Sequence, residues 1–320
     1  MRIRFWGVRG SLPSPQVSSQ IQSNIAAIIA QMTPADIETP ENRSRFLAGL
    51  PPWLSGTVGG NTSCISVALE DDSHELIVFD AGSGLRELGV ALTGERARIT
   101  TYHLFFSHFH WDHLMGLPFF NPAYNPSVGI NFYSPKQNLE SILAGQMTFP
   151  YFPVTMEMMR AKKNFHLLPE RNGAAYEVAL SGAVICYKKM RHPGDSYSYK
   201  VNDGKHKFIY ATDVELSAAD FIKNEENSRF FQDADLAVID SQYTLEDAME
   251  KYDWGHSSFN MAVDFAAHWG IKHLVMFHHE PAYNDRKLYN ILQSARWHAE
   301  QMHFKGIEIT LATEGLEILL

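Results

Sequence analysis

The sequence predicts an α/β protein. Short apolar runs of strand type dominate its first half, longer runs at helical spacing come later, and no fixed-period repeat or low-complexity tract interrupts them. The chain has 320 residues and is 45% hydrophobic, enough to bury a sizeable core, and is read as one domain over 1–320.

The opening stretch MRIRFWGVRG reads as a strand. It lacks the apolar run and small-residue cleavage site of a signal peptide. CISVAL, ELIVFD, TTYHLFFSH, VICYKKM, SYSYKV, KFIYATD and LAVIDSQ continue the strand series, several ending in polar residues. SSFNMAVDFAAHWG then reads as a helix with a serine cap and Gly270 as its stop. A longer helix starts from Asn284 or Asp285, and IEITLA closes as a strand. Residues 14–57 interrupt the pattern. Ile21, Ile25, Ile28, Ile29 and Met32 share one helical face, and Thr39 with Pro40 starts a second helix. This helical insertion is expected to bury its apolar face on the core, or to serve as a lid or a homodimer contact.

The formal net charge of −9 announces no broad basic surface, so long duplex nucleic acid is not expected as a partner. Two cysteines far apart make no disulfide framework. No run of 18 apolar residues suggests a membrane span, and a soluble cytoplasmic protein is the expectation.

The chemistry concentrates in SHFHWDHLMG, residues 107–116. Imidazole and carboxylate are ligands of borderline divalent metals. Histidines at i and i+2 of an extended segment project to one side, so His108 and His110 can converge on one ion. Asp112 and His113, one turn on, can converge on a neighbour. The remaining histidines outside the motifs named below are assigned ordinary surface, core or capping roles.

His108-Phe-His110-Trp-Asp112-His113 is similar to the HxHxDH signature of the metallo-β-lactamase superfamily. RHPGDSYSYK, IYATDVE and LVMFHHEP follow in the family order, and FWGVRGSLP, GGNTSC, FDAGSGLREL, GLPFFNPAY and WGHSS resemble the branch containing ribonuclease Z and bacterial cyclic-nucleotide phosphodiesterases. The resemblance covers residues 1–13 and 58–320. It implies a four-layer αββα sandwich with the helical insertion near the N-terminus. It implies two divalent metal ions, zinc first, with manganese or iron as alternatives. His108, His110 and His192 would hold one ion, and Asp112, His113 and His278 the other, with Asp213 bridging. Cysteine in place of Asp213 would mark true β-lactamases, and glutamate in place of His110 the flavodiiron proteins.

The same resemblance implies hydrolysis of a small anionic phosphodiester, of nucleotide or cyclic-nucleotide type, with Asp112 orienting the attacking water and His256 as proton donor. Ribonuclease Z-like RNA processing, ester or lactone hydrolysis, and a non-catalytic metal sensor are the rival readings. Asp80 is expected to orient a metal-bound histidine. Asn61, Thr62 and Ser63 either face substrate or serve turn chemistry. Arg9 is a structural ion-pair arginine or a phosphate contact. His279 is a supporting or substrate-facing neighbour of His278, because consecutive strand residues point to opposite faces. Phe119, Phe120, Tyr124 and Tyr151 are candidates to stack on a base, and Cys64 reads as a small buried hydrophobe.

Overall fold

The computed structural model describes residues 1–93, 98–169, 176–180 and 182–320. Two seven-stranded sheets carry the fold. The first holds β1 (Arg2–Gly7), β2 (Cys64–Ala68), β3 (Glu75–Phe79), β4 (Thr101–Phe105), β5 (Gly129–Ser134) and β6 (Lys162–Leu167) side by side. The second holds β7 (Tyr176–Leu180), β8 (Ala183–Met190), β9 (Ser196–Asn202), β10 (Lys207–Ala211), β11 (Leu236–Asp240), β12 (His273–Phe277) and β13 (Glu308–Leu311). The last strand, β14 (Glu317–Leu319), returns to the first sheet and pairs antiparallel with β1. In each sheet antiparallel pairings give way to parallel ones, over β3–β6 and β10–β13.

Alternation along the strands sends one set of side chains between the sheets. Phe5, Ile65, Phe79 and Phe105 meet Tyr199, Phe208, Tyr210, Val238 and Phe277 there. The opposite faces need their own cover. On the first sheet it comes from α5 (Gly84–Ala91), α6 (Leu139–Gly145) and 3₁₀ turns, over Leu104, Phe106 and Phe132. On the second it comes from α7 (Glu225–Phe231), α9 (Phe259–His268) and α10 (Asp285–Gln301), over Ala237, Leu274 and Met276. The result is the four-layer αββα sandwich. Ser258 and Asn284 cap α9 and α10, their side chains accepting from the backbone N–H groups of Met261 and Lys287. Among the described residues, no helix is long and apolar enough to cross a membrane.

The insertion lies between β1 and β2 as α1 (Ser18–Gln31), α2 (Pro34–Ile37), α3 (Pro40–Gly49) and α4 (Pro52–Ser55). Thr39 caps α3, and Pro40 is its first residue. The expected burial of the apolar face is overturned. No residue of α1 is buried, and Ile21, Ile25 and Ile29 are 45%, 51% and 63% exposed. Periodicity places these isoleucines on one face, but α1 is anchored to the body through short α4, where Asn24 donates to the Trp53 carbonyl at 3.3 Å. The remaining helix, α8 (Leu245–Glu250), precedes the loop that carries His256.

Candidate metal centre

The site sits at the C-terminal ends of strands from both sheets, where chains leave a rigid scaffold. His108 follows β4, and Trp111–His113 form a 3₁₀ turn beyond it. His192 follows β8, Asp213 follows β10, and His278 follows β12. Asp80, Asp213 and His278 each have positive φ, at 60°, 51° and 61°. Left-handed backbone is unfavourable for such residues and persists where surroundings hold it. It turns the chain sharply at the strand ends that build the site.

Among the described residues three groups of ligand-type atoms result, a small one of Asp240, His256 and His278 and two larger clusters. His108, His110, His192 and Asp213 form one, and Asp112, His113, Asp213 and His278 form the other; within each, the atoms lie within 4.8 Å of one another. Asp213 belongs to both. Its Oδ1 lies 3.6 Å from His108 Nε2 and 3.8 Å from His192 Nε2. Its Oδ2 lies 3.1 Å from His113 Nε2 and 3.3 Å from His278 Nε2. Asp112 Oδ2 lies 3.2 and 3.3 Å from the same two nitrogens and accepts the Ser11 N–H at 2.7 Å.

The imidazoles are oriented from behind. His113 Nδ1–H donates to Asp80 at 2.8 Å, His192 Nδ1–H to the Gly255 carbonyl at 2.8 Å, His278 Nδ1–H to Gln242 Oε1 at 3.0 Å, and His108 Nδ1–H to Ser107 Oγ at 3.1 Å. Each therefore directs an Nε2 lone pair into the site, the tautomer a metal ligand needs. His110 instead brings Nδ1, 3.3 Å from His192 Nε2. Asp80 also accepts from Ser107 N–H, Ser107 Oγ–H and Tyr210 OH, each at 2.7 Å, so one buried carboxylate sets several groups.

The donor set fits divalent cations. His108 Nε2 and His113 Nε2 are buried without a hydrogen-bond partner, although His113 Nε2 lies close to two carboxylates. Burial pushes the pKa values of His108, His110 and His192 down, which keeps their lone pairs free. Burial opposes ionisation of Asp213 too, but His113, His278 and His108 outweigh it and hold this carboxyl well below its usual range. Asp80, Asp112, Asp213 and Asp240 are all buried, and their ion-pair partners among the described residues are histidines. Cations would neutralise this charge.

A cavity of about 360 Å³ opens over the clusters, lined by Ser11, Phe109, His110, Trp111, Asp112, Asp213 and His256. His256 Nδ1–H donates to Asp240 Oδ2 at 2.7 Å, and its ring lies 5.0 Å from that of His278 and 5.2 Å from that of His192. Burial disfavours its protonation, but Asp240, Asp213 and Asp112 outweigh burial and raise its pKa. Asp253, three residues before His256, pairs with Arg191. Asp240 is held by the N–H groups of Gln242, Ser257 and Val214 at 3.1, 3.2 and 3.3 Å.

The chain belongs to the metallo-β-lactamase superfamily. Residues 76–279 match the model of the beta-lactamase superfamily domain, a span that carries every cluster residue. Ribonuclease Z of Bacillus cereus (strain AH187) is 24% identical over 288 residues, covering 78% of this chain and 91% of that protein. The crystal structure of human tRNase Z, short form, superimposes with a TM-score of 0.64 at 18% identity, covering 100% of this chain and 99% of that one. A diphosphatase from the PhnP family does so with a TM-score of 0.58 at 16% identity, covering 100% and 97%. The chain is thus a metallo-β-lactamase-fold hydrolase resembling ribonuclease Z, in a family that carries divalent metal ions, usually two.

Several sequence-based candidates lie elsewhere in this metallo-β-lactamase fold. Arg9 is buried with Asp285 at 2.9 Å, donates to the Gly59 and Tyr283 carbonyls, and does not line the cavity, which matches the ion-pair alternative. His279 is buried outside the cavity lining and donates to the Ala312 carbonyl at 2.8 Å; burial, with Arg9 nearby, pushes its pKa down to about 3. Asn61 is bound to Glu314 and Ser83, Thr62 exchanges bonds with Ser83, and Ser63 is buried, so this stretch forms a packed turn outside the cavity lining. Phe120 is core, edge-on to Tyr102, and Tyr124 donates to the Pro118 carbonyl. Phe119 and Tyr151 are exposed but do not line the cavity. No residue of 14–57 lines it either, because α1 packs against α4 and not over the metal clusters.

Sequence reasoning missed Ser11, Ser107, Trp111, Tyr210, Asp240, Gln242 and Gly255. Asp240 carried a signal, since it ends a buried strand just as Asp80 and Asp213 follow theirs. Gly255 has φ +91°, and a Cβ there would lie 2.2 Å from His192 Nδ1. Glycine thus lets the loop carbonyl approach that imidazole.

Proposed function

We propose that this protein hydrolyses phosphodiesters of nucleotide type at a centre of two divalent ions. His108, His110 and His192 would hold one, Asp112, His113 and His278 the other, and Asp213 both. The observation that carries this reading is the division of labour within Asp213, whose two oxygens face two separate nitrogen sets. Zinc suits these nitrogen and oxygen donors, with manganese or iron as alternatives. When bound, the two ions supply Lewis-acid stabilisation of the transferring phosphoryl group and make a nearby water acidic.

The remaining work belongs to the chain. Asp112, fixed by the Ser11 N–H, is placed to orient the attacking water. His256, fixed at Nδ1 by Asp240, leaves Nε2 for the cavity. As the imidazolium it donates a hydrogen bond to the phosphoryl oxygens or a proton to the departing oxygen. Asp240 holds that ring in one tautomer and stabilises its charge. The rigid strand ends keep these groups pre-positioned, so little reorganisation accompanies reaction.

A ribonuclease Z-like reading is the second one, favoured by the 24% identity that spans 91% of the Bacillus cereus protein. A small substrate, the exclusion of long duplexes, and a homodimer formed through the exposed face of α1 are parts of the first reading. The deciding experiment loads purified protein with zinc or manganese and assays bis-p-nitrophenyl phosphate, cyclic AMP, cyclic dinucleotides, precursor tRNA and lactones. Turnover of small phosphodiesters well above precursor tRNA supports the proposal. Preference for precursor tRNA turns it toward RNA processing, and activity on lactones alone overturns it.

A further inference from the structure

We infer that Trp111 is the specificity residue of this site, a platform that stacks on a planar ring carried by the substrate next to its phosphate. The inference rests on the phosphodiesterase reading and deepens it.

Trp111 sits inside the metal-binding motif, between His110 and Asp112, and its side chain is 83% exposed. Asp112 and His113, which follow it, are buried in the clusters. Its backbone is not free to move. His113 N–H donates to the His110 carbonyl at 3.0 Å, and the N–H groups of Leu114 and Met115 donate to the Trp111 carbonyl at 3.0 and 2.8 Å. The Ser11 N–H ties Asp112 to the segment that follows β1. The Trp111 Cα therefore stands one step, about 3.8 Å along the chain, from those of two candidate ligands, His110 and Asp112, and Trp111 lines the same cavity as they do.

An indole so exposed contributes little to the core, and it stands on a rigid turn at the cavity that opens over the clusters. A ring bound in the cavity would cover it. About 360 Å³ lies within the range of small-ligand sites, room for a phosphate over the clusters and one ring beside it. Stacking on an aromatic face tolerates any base, because every base has a π-face. Trp111 would then select for a flat ring over a bare sugar without reading its edges. Phe109, half-buried in the same cavity, extends the apolar surface.

The test is equilibrium binding, which needs no turnover. Calorimetry on zinc-loaded protein compares AMP with ribose 5-phosphate, which carries an anomeric hydroxyl where AMP carries its base. Wild type should bind AMP more tightly by about 5- to 140-fold, the fold-change equal to roughly 1–3 kcal/mol of stacking. Trp111→Ala should bring the ratio near one, while Trp111→Phe should retain most of it. Trp297→Ala, an exposed tryptophan on α10, should leave it unchanged, and metal content should match wild type throughout. A wild-type ratio near one, or a ratio that survives Trp111→Ala, overturns the inference. Tighter binding of phosphocholine than of AMP also overturns it, because the indole would then be reading a cation. Absence of hydrolysis with the AMP preference intact would sink the phosphodiesterase reading and leave Trp111 as a ring platform. Failure to bind either phosphate overturns both.

Discussion

Replacing Gly10 by alanine should disable one half of the metal centre while leaving the fold intact. Gly10 follows β1, and its N–H donates to the His279 carbonyl at 2.9 Å, so its backbone is clamped beside His278. A Cβ there would lie 2.5 Å from both Cε1 and Nδ1 of His278 and 3.0 Å from Cγ. Non-bonded carbon atoms rest about 3.5–4.0 Å apart, so the imidazole must retreat by roughly 1 Å. That movement would break the 3.0 Å bond to Gln242 and pull Nε2 from Asp112 and Asp213, each 3.3 Å away. Overpacking of this kind costs about 1–3 kcal/mol of stability. Loss of a supporting partner alone lowers metal affinity about 10- to 100-fold, and displacing the ligand itself should do at least as much. Chelator competition with elemental analysis would read both sites, and thermal unfolding without metal would check the fold. Gly49→Ala is the control, since a Cβ there meets nothing within 4 Å. Two sites of wild-type affinity in folded Gly10→Ala protein would refute the reasoning, because His278 could not then be a ligand held by that contact.

Asp213→Asn should lower occupancy of both ions, since each oxygen faces a different nitrogen set; equilibrium dialysis showing loss at one site alone would remove its bridging role. His256→Ala should keep metal content and lower kcat by roughly 10²–10⁴. A p-nitrophenolate leaving group should recover part of that loss, and equal loss on unactivated substrates would count against leaving-group protonation. For His279, the unfolded imidazole protonates near 6.5 and the folded one only near 3. The stability it contributes is therefore complete above pH 6.5 and is lost as pH falls toward 3, by up to about 1.4 kcal/mol per pH unit. Denaturant titrations of His279→Gln should show a flatter decline between pH 6.5 and 5, and an unchanged slope would assign that titration elsewhere.

The sequence by itself carried the α/β class, the cap at Thr39, the later two helix starts to within a residue, and the local part of the candidate centre. Each of these depends on residues near one another along the chain. A two-residue period and a turn suffice to draw His108, His110, Asp112 and His113 together. His192, Asp213 and His278 were legible only through their order along a resembling family, because no local rule says which strand ends meet. The tertiary structure alone decided that Asp240, 16 residues before His256, supports it, and that Asp80 gathers Ser107, His113 and Tyr210, the last 130 residues away. It also decided that Arg9 and His279 are turned into a buried network, since strand alternation shows that neighbours point apart without saying what lies on either side. The same limit governs α1. Hydrophobic spacing places Ile21, Ile25 and Ile29 on one face, but covering that face requires a second surface, and the described residues supply none there.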